Sequence, residues 1–211
     1  MQTSKNYPGL TFATDVSEVV YSEEIIHRRI QEIGRAITSD YQGKNPLMVG
    51  VLRGVLFFMA DLLRAVDLPL EVDFLAVSSY SDESRNQGFV RLEKDLDIPI
   101  RDRHVLFIED VIDTGLTLNY ILGSMRTRQP ASLEVCVLFN KPTKRLIDIP
   151  LKYKGFDLPD QFVVGYGLDY RERYRNLPYV GLLKAEALRS ETLRSETLMR
   201  SEGDKKYRGS K

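Results

Sequence analysis

The sequence predicts an α/β fold in which helices flank a mostly parallel, twisted sheet. Short, continuous apolar runs recur along the chain, and such runs are typical of strands buried on both faces. Segments with helical spacing of apolar residues separate them, and this alternation favours parallel pairing. The predicted strands are 47–52, 70–77, 105–108, 133–139 and 162–166, and the predicted helices are 55–65, 116–126 and one that begins at Ser22.

The first predicted helix has a start signal and an apolar face. Ser22 is a favourable N-cap residue, and Glu23 and Glu24 follow it in the first turn, where negative charge interacts well with the helix dipole. Apolar residues then recur at a spacing that places them on one face of a helix. These residues are Ile26, Ile30, Ile33 and Ile37.

The remaining segments are expected to form a loop, a small lobe and a repetitive C-terminal tail. The polar stretch 78–88 has no apolar period, and we expect it to be a structureless, mobile loop. N-terminal residues and residues 156–187 are expected to form a small hood lobe, which completes a domain over 1–187. Near-copies of a five-residue unit follow, and a period of five fits neither helix nor strand. This composition predicts a disordered tail over 188–211.

Composition excludes several classes of protein. Lys and Arg number 30, as do Asp and Glu, and a net charge of zero favours neither nucleic acid nor membrane as a partner. No apolar run is long enough to span a bilayer, and residues 1–6 lack the apolar centre of a secretory signal. The single cysteine, Cys136, lies in an apolar run, which indicates a buried thiol. These features predict a cytoplasmic protein.

The segment 108–117 combines features of a site for a phosphorylated sugar. It follows a predicted strand, and ligands of open parallel sheets bind beyond the carboxyl ends of the strands. It also leads into a predicted helix, whose first N–H groups and dipole favour a phosphate. Hydroxyl donors and a glycine that allows close approach of the backbone belong to the predicted phosphate loop, which is Asp113, Thr114, Gly115, Leu116 and Thr117.

Two acids precede this loop. Glu109 and Asp110 suit a ribose, because carboxylates accept hydrogen bonds from neighbouring hydroxyls. They also suit Mg²⁺, which prefers oxygen ligands. The alternative is an acidic turn with ordinary helix capping. We favour the ligand site, because one short segment combines groups for phosphate, sugar and metal.

The segment 108–117 resembles the signature for phosphoribosyl pyrophosphate (PRPP) in type I phosphoribosyltransferases. Asp113 narrows the resemblance to the hypoxanthine–guanine branch, whose motif reads Glu-Asp-[Ile/Val]-[Ile/Val]-Asp-Thr-Gly. The similarity extends from the first helix to about Leu183. It implies the fold of that family, transfer of a phosphoribosyl group with the help of Mg²⁺, and a homodimer or homotetramer.

The resemblance assigns roles to residues outside the motif. Leu52-Arg53-Gly54 corresponds to a pyrophosphate loop that commonly reads Leu-Lys-Gly and often holds a cis peptide, although the residues alone indicate a plain helix-start turn. Arg175 corresponds to a second pyrophosphate-binding arginine. Ser79 and Tyr80 open a lid that closes over the reacting centre.

A further group corresponds to the base-binding residues of the family. Lys141, ordinarily a surface charge, is implied to contact the six-position oxygen of a purine. Phe162, ordinarily a core residue, is implied to stack on the base, and Val163 to read it through backbone groups. Asp169 is implied to lie near a second Mg²⁺ and the purine edge.

The implied reaction joins a 6-oxopurine to PRPP and yields IMP or GMP with pyrophosphate. Asp113 is the candidate general acid/base at N7 of the purine. Two alternatives stay open: a regulatory protein of the same fold that senses PRPP, and a transferase that prefers xanthine. A regulator would usually show a basic face or an added DNA-binding domain, and the neutral composition counts against the first of these.

Overall fold

The computed structural model describes residues 13–82 and 87–188, without the side chains of 79–82 and 87–90. Within those ranges the chain forms three complete α-helices and nine β-strands, and a further helical turn covers 185–188. In chain order they are β1 (Val16–Tyr21), α1 (Glu23–Asp40), β2 (Leu47–Leu52), α2 (Leu56–Ala65), β3 (Glu71–Asp82), β4 (Gln87–Lys94), β5 (His104–Ile112), α3 (Leu116–Arg126), β6 (Ser132–Asn140), β7 (Tyr153–Asp157), β8 (Val163–Val164) and β9 (Val180–Leu183).

A six-stranded sheet forms the centre of the molecule, with the strand order β4-β3-β2-β5-β6-β7. All neighbouring pairs are parallel except β3 and β4, which are antiparallel. From β2 the chain moves outward in one direction to β3, and β5 lies on the other side of β2. The strand order therefore reverses between β2 and β5, and an open sheet has its ligand crevice beyond the carboxyl ends of the strands at such a point.

Alternate residues of the central strands face two separate apolar cores. Leu106 and Ile108 of β5 pack with α1 and α2, whereas Val105 and Phe107 pack with α3. The predicted apolar face of α1 is confirmed, because its four isoleucines are buried in the first core. Ser22 is in the N-cap position of α1, although its side chain makes no capping hydrogen bond.

A second, three-stranded antiparallel sheet lies beside the first, with the order β1-β9-β8. Its strands come from the N-terminal part of the chain and from 163–183, which are the segments expected to form the hood lobe. It has an apolar core of its own that includes Val16, Val164 and Tyr179. None of the described helices is long and apolar enough to cross a membrane.

The polar stretch 78–88 was expected to lack structure, and that expectation is wrong for most of it. Residues up to Asp82 continue β3, and β4 begins at Gln87. Ser79 and Tyr80 pair with Val90 and Phe89 across the hairpin. The backbone hydrogen bonds of the ladder can order a polar segment that lacks an apolar period. Residues 83–86 lie outside the described part of the chain.

Two other strands differ from their predicted lengths. β5 continues beyond Ile108 to Ile112, so Glu109 and Asp110 lie in the strand and not after it. The reason is that β6 also continues, and Val111 pairs with Phe139. The strand predicted at 162–166 is shorter and covers only β8, because the backbone turns at Gly165. The repeated tail beyond residue 188 lies outside the described residues.

Candidate active site

A cavity of about 250 Å³ lies in the crevice between β2 and β5. The end of β2 and the following turn line one side of it, and the end of β5 with the start of α3 lines the other. Both acids and four of the five residues of the predicted phosphate loop border this cavity, whereas Leu116 does not line it. Its lining residues include Arg53, Gly54, Glu109, Asp110, Asp113, Thr114, Gly115 and Thr117.

The phosphate loop wraps the N-terminus of α3. Gly115 has a φ of +82°, a left-handed conformation that favours glycine, and its carbonyl accepts the hydrogen bond from the amide of Asn119 at 2.9 Å. Thr114 Oγ1 accepts a hydrogen bond from the amide of Leu116 at 3.4 Å. The first turn of a helix presents N–H groups that lack partners within the helix, so this loop is suited to an anion.

A neighbouring segment supports the phosphate loop from behind. The amides of Leu146 and Ile147 both donate to the carbonyl oxygen of Thr114, at 3.0 and 3.3 Å. The amide of Lys141 donates to the carbonyl oxygen of Ile112 at 3.0 Å. The turn that begins at Lys141 and the phosphate loop therefore form one hydrogen-bonded unit.

Glu109 is buried and Asp110 is half-buried at the end of β5. Burial, and then the neighbouring charge of Asp110, raises the pKa of Glu109 well above its usual value. Burial also raises the pKa of Asp110 to about 6, against the opposing effects of backbone amides and of Arg175. Two adjacent acids whose pKa values are raised in this way are suited to a site where a cation or sugar hydroxyls approach them.

The turn after β2 packs tightly against this acidic pair. The peptide bond between Leu52 and Arg53 is cis, as the family resemblance implies. A β-carbon on Gly54 would overlap the carboxylate of Asp110, and one on Gly167 would overlap the carbonyl oxygen of Gly54. Close backbone approach at these glycines therefore brings the turn after β2, the end of β5 and the turn at 165–168 into contact.

An ion-pair network connects the two predicted pyrophosphate-binding arginines. Arg175 Nη2 lies 2.9 Å from Asp169 Oδ1 and 3.2 Å from Glu172 Oε2. Arg53 Nη1 lies 3.2 Å from the same oxygen of Glu172. Arg175, and then Arg53, lowers the pKa of Glu172. The Nε of Arg175 is buried, and no described group accepts a hydrogen bond from it.

A second, smaller cavity of about 160 Å³ shares Asp110 and Val111 with the first. Phe162 on its wall is 43% exposed, which is unusual for a phenylalanine, and its ring meets that of Tyr170 edge-on with the centroids 5.3 Å apart. The structure brings all four predicted base-binding residues to this cavity. They are Lys141, Phe162, Val163 and Asp169.

Sequence reasoning missed two charged residues near the site. Lys144 lies 3.0 Å from Asp160, and its pKa is raised by Asp160 and to a lesser degree by Asp113. Glu172 bridges the two arginines described above. Neither residue belongs to an apolar pattern or to the motif, and only the folded chain brings them near the site.

The donor set fits Mg²⁺ better than a metal that needs a complete protein cage. Glu109 and Asp110 offer carboxylate oxygens, and a bound cation would favour their ionised forms over the neutral forms that burial favours. Over residues 13–82 and 87–188, no three His, Cys, Asp or Glu side chains converge as a metal cluster. Mg²⁺ is commonly held by one or two carboxylates together with substrate phosphates, which is compatible with this arrangement.

A third cavity lies beside this site. It measures about 640 Å³ and is lined by Asp15, Phe57 and residues 172–176. Its wall has neither the phosphate loop nor the buried acids, although it shares Glu172 and Arg175 with the ion-pair network. The crevice at the strand-order reversal is the better candidate for the active site, because it combines protein groups suited to an anion, a sugar and a metal ion.

Comparison with known proteins decides the family. A family model described as a phosphoribosyl transferase domain matches residues 17–171. The chain belongs to this family. The resemblance stated from the motif is therefore confirmed, and so is the predicted α/β fold.

This phosphoribosyltransferase has relatives with which it shares about half of its aligned residues. The hypoxanthine-guanine phosphoribosyltransferase of Streptococcus agalactiae serotype V is 51% identical over 172 residues, which cover 82% of this chain and 96% of that protein. The Bacillus subtilis protein of the same name is 49% identical over 170 residues, with 81% and 94% covered. A hypoxanthine phosphoribosyltransferase structure from Staphylococcus aureus superposes with a TM-score of 0.81 at 45% identity, covering 86% of this chain and 98% of that one.

Proposed function

We propose that the protein is a purine salvage enzyme that transfers the 5-phosphoribosyl group from PRPP to hypoxanthine or guanine, with release of IMP or GMP and pyrophosphate. The observation that carries this proposal is the meeting of two cavities at Asp110. One has the phosphate loop, and the other has an exposed aromatic ring beside a lysine. The names of the relatives support the choice of substrates.

The ribose phosphate of PRPP would occupy the larger of these two cavities. Backbone amides and hydroxyls of the loop from Asp113 to Thr117 would hold the 5′-phosphate. Glu109 and Asp110 would accept hydrogen bonds from the ribose hydroxyls. The left-handed turn at Gly115 supports this role, because it directs the chain around the anion without a side chain.

The pyrophosphate group would lie beside the turn after β2. Arg53, the backbone at Gly54, and Arg175 would bind it. Glu109, Asp110 and Asp169 are the candidate ligands of Mg²⁺, with Asp169 serving a second ion. When bound, Mg²⁺ neutralises charge on the leaving pyrophosphate.

The purine would occupy the smaller cavity. Phe162 would stack on the ring, and the backbone of Val163 and the carboxylate of Asp169 would meet its edge. Lys141 would donate to the six-position oxygen, which favours oxo over amino purines. The exposed ring of Phe162 supports this placement, since burial of that ring on a base is favourable.

In the transfer step, N9 of the purine attacks the anomeric carbon of the ribose while the bond to pyrophosphate breaks. Asp113 takes the proton at N7, which becomes more acidic as N9 forms its bond. Ser79 and Tyr80, in the β3–β4 hairpin, would belong to the segment that closes over the reacting atoms. Closure excludes water, which would otherwise compete as the nucleophile.

Three expectations from the sequence belong to this proposal. The catalytic domain spans 1–187, and the repeat tail over 188–211 is an appendage. The enzyme assembles as a homodimer or homotetramer. It works in the cytoplasm on small molecules, with neither nucleic acid nor membrane as a partner, and the burial of its single cysteine, Cys136, agrees with a reducing compartment.

One assay tests the proposed reaction. The purified protein is supplied with PRPP and Mg²⁺ and with hypoxanthine, guanine, xanthine or adenine in separate reactions. We expect nucleotide formation with hypoxanthine or guanine and none with adenine. Xanthine as the preferred base would favour the xanthine transferase, whereas PRPP binding without turnover of any base would favour a PRPP-sensing protein.

A further inference from the structure

One carboxylate oxygen of Glu172 bridges two guanidinium groups. It lies 3.2 Å from Arg53 Nη1 and 3.2 Å from Arg175 Nη2. These are the two cations that the proposed function assigns to pyrophosphate. A phosphate oxygen is held by paired arginines in the same way, so Glu172 occupies a position typical of an anionic ligand.

The local backbone holds Glu172 in this position. Arg171 and Glu172 have φ values of 54° and 62°, which non-glycine residues rarely adopt. The amide of Glu172 donates to Asp169 Oδ2 at 2.8 Å. Tyr170 and Arg173 close the turn with two backbone hydrogen bonds of 3.2 and 3.1 Å. The bridging carboxylate therefore projects from a closed turn and not from an open chain end.

The bridge is placed where a ligand can displace it. The side chains of Arg53 and Glu172 are 75% and 63% exposed. Exposed ion pairs are weak and exchange readily, and a pyrophosphate group carries more negative charge than one carboxylate. Arg175, which is 23% exposed, also lies 2.9 Å from Asp169, so displacement of Glu172 leaves it with an anionic partner.

We propose that Glu172 is an internal anion that competes with pyrophosphate for Arg53 and Arg175. The inference rests on the proposed function, because it takes these arginines as the pyrophosphate site. Glu172 thus weakens the binding of free pyrophosphate and of PRPP, which present the same group. It sets how readily the product leaves, without contact to the base or the ribose.

Calorimetric titration with inorganic pyrophosphate in the presence of Mg²⁺ tests this role. Glu172→Gln removes the charge and keeps the size, and Glu172→Asn removes the charge with a shorter residue that tolerates the left-handed backbone. We expect both variants to bind pyrophosphate about three- to tenfold more tightly, the range expected for loss of two exposed ion pairs. The matched control is Glu32→Gln, which breaks the exposed Arg29–Glu32 pair on α1 and should leave the affinity unchanged.

A double-mutant cycle distinguishes direct competition from a general effect of charge. The gain from Glu172→Gln should shrink when Arg53 is already replaced by Ala, because one of the two contested cations is absent. Equal gains in both backgrounds, unchanged or weaker binding in both Glu172 variants, or no binding by any form of the protein would overturn the inference. The titration needs no turnover, so tighter binding by a protein that transfers no purine would refute the proposed reaction and leave the competition by Glu172 supported.

Discussion

The carboxylate of Asp110 fills the space into which a β-carbon at position 54 would project. Gly54→Ala therefore forces either the turn after β2 or Asp110 to move. Displacement of about 1 Å near reacting groups can lower a rate about a hundredfold, and we expect a loss of this size in kcat/KM for PRPP. Steady-state kinetics measures the loss, and circular dichroism checks that the fold is retained.

The matched control for this variant is Gly123→Ala, in the exposed part of α3. A β-carbon there would meet no atom within 4 Å. We expect full activity and an increase of about 0.5–1 kcal/mol in the free energy of unfolding, because alanine favours the helix. Equal activity of the two variants would show that Asp110 and Gly54 need not be in contact for function.

Asp113 is exposed on the wall of the cavity of about 250 Å³, where its carboxylate is accessible to a ligand. We expect Asp113→Asn to lower kcat by about a hundred- to ten-thousandfold, the usual contribution of a general base, while PRPP binding survives. Rapid-quench kinetics with a separate PRPP titration measures both. Asp148→Asn, which removes another exposed acid, serves as the control. Unchanged turnover in Asp113→Asn would remove Asp113 from the mechanism.

Lys141 lines the smaller site cavity, which we propose as the purine site. Its replacement by Ala should raise KM for hypoxanthine and guanine by about tenfold or more, because a charged hydrogen bond to the base is lost. KM for PRPP should change little. Lys44→Ala, whose lysine contacts the carbonyl of Asp40 far from the site, is the control. An equal rise for both substrates would mean that Lys141 attracts ligands by charge alone.

Asp73 provides a pH-dependent contribution to stability outside the site. Burial alone would raise its pKa, but the amides of Ile98, Phe74 and Asp97, together with Lys94, lower it. An acid whose pKa is lowered in the folded state stabilises the fold at pH values above its pKa in the unfolded chain, which is about 4. This stabilisation is lost as the pH falls through the pKa of the folded state. We expect Asp73→Asn to cost about 1–3 kcal/mol at pH 7.

Urea unfolding at neutral and acidic pH measures this difference. The destabilisation by Asp73→Asn should shrink as the pH falls through the lowered pKa of the wild-type Asp73 carboxyl, because that carboxylate then becomes protonated. Asp97→Asn, which removes an exposed partner of Lys94, should change stability by less than about 1 kcal/mol at any pH. A cost for Asp73→Asn that is independent of pH would mean that shape and not charge matters at this position.

Most of the central sheet could be predicted from the sequence, because buried parallel strands are continuous apolar runs. The predicted and observed bounds of β2 agree, and so do those of α3. The position of the loop 113–117 at the junction of β5 and α3 could be predicted, because a Gly between a strand and a helix is a local signal, and its binding of a phosphate stays a prediction. Local signals of this kind depend on a few neighbouring residues and do not need the rest of the fold.

Features that depend on distant partners could not be predicted. β1 and β9 are short and pair with each other across most of the chain length, and neither has a strong pattern of its own. β4 was missed because its pairing with β3 orders a polar segment. The bridge from Glu172 to Arg53 joins residues 119 positions apart, and only the folded chain brings them together.

The hydrogen bonds from Leu146 and Ile147 to Thr114 connect the segment after Lys141, which we propose to contact the base, to the loop that we propose to bind the phosphate. A ligand that orders either segment also orders the other, because the two segments share these hydrogen bonds. Linkage requires the benefit to be mutual and equal, so the sugar phosphate and the nucleobase should each raise the affinity of the other. Heterotropic cooperativity would then follow from two amide protons on a single carbonyl oxygen.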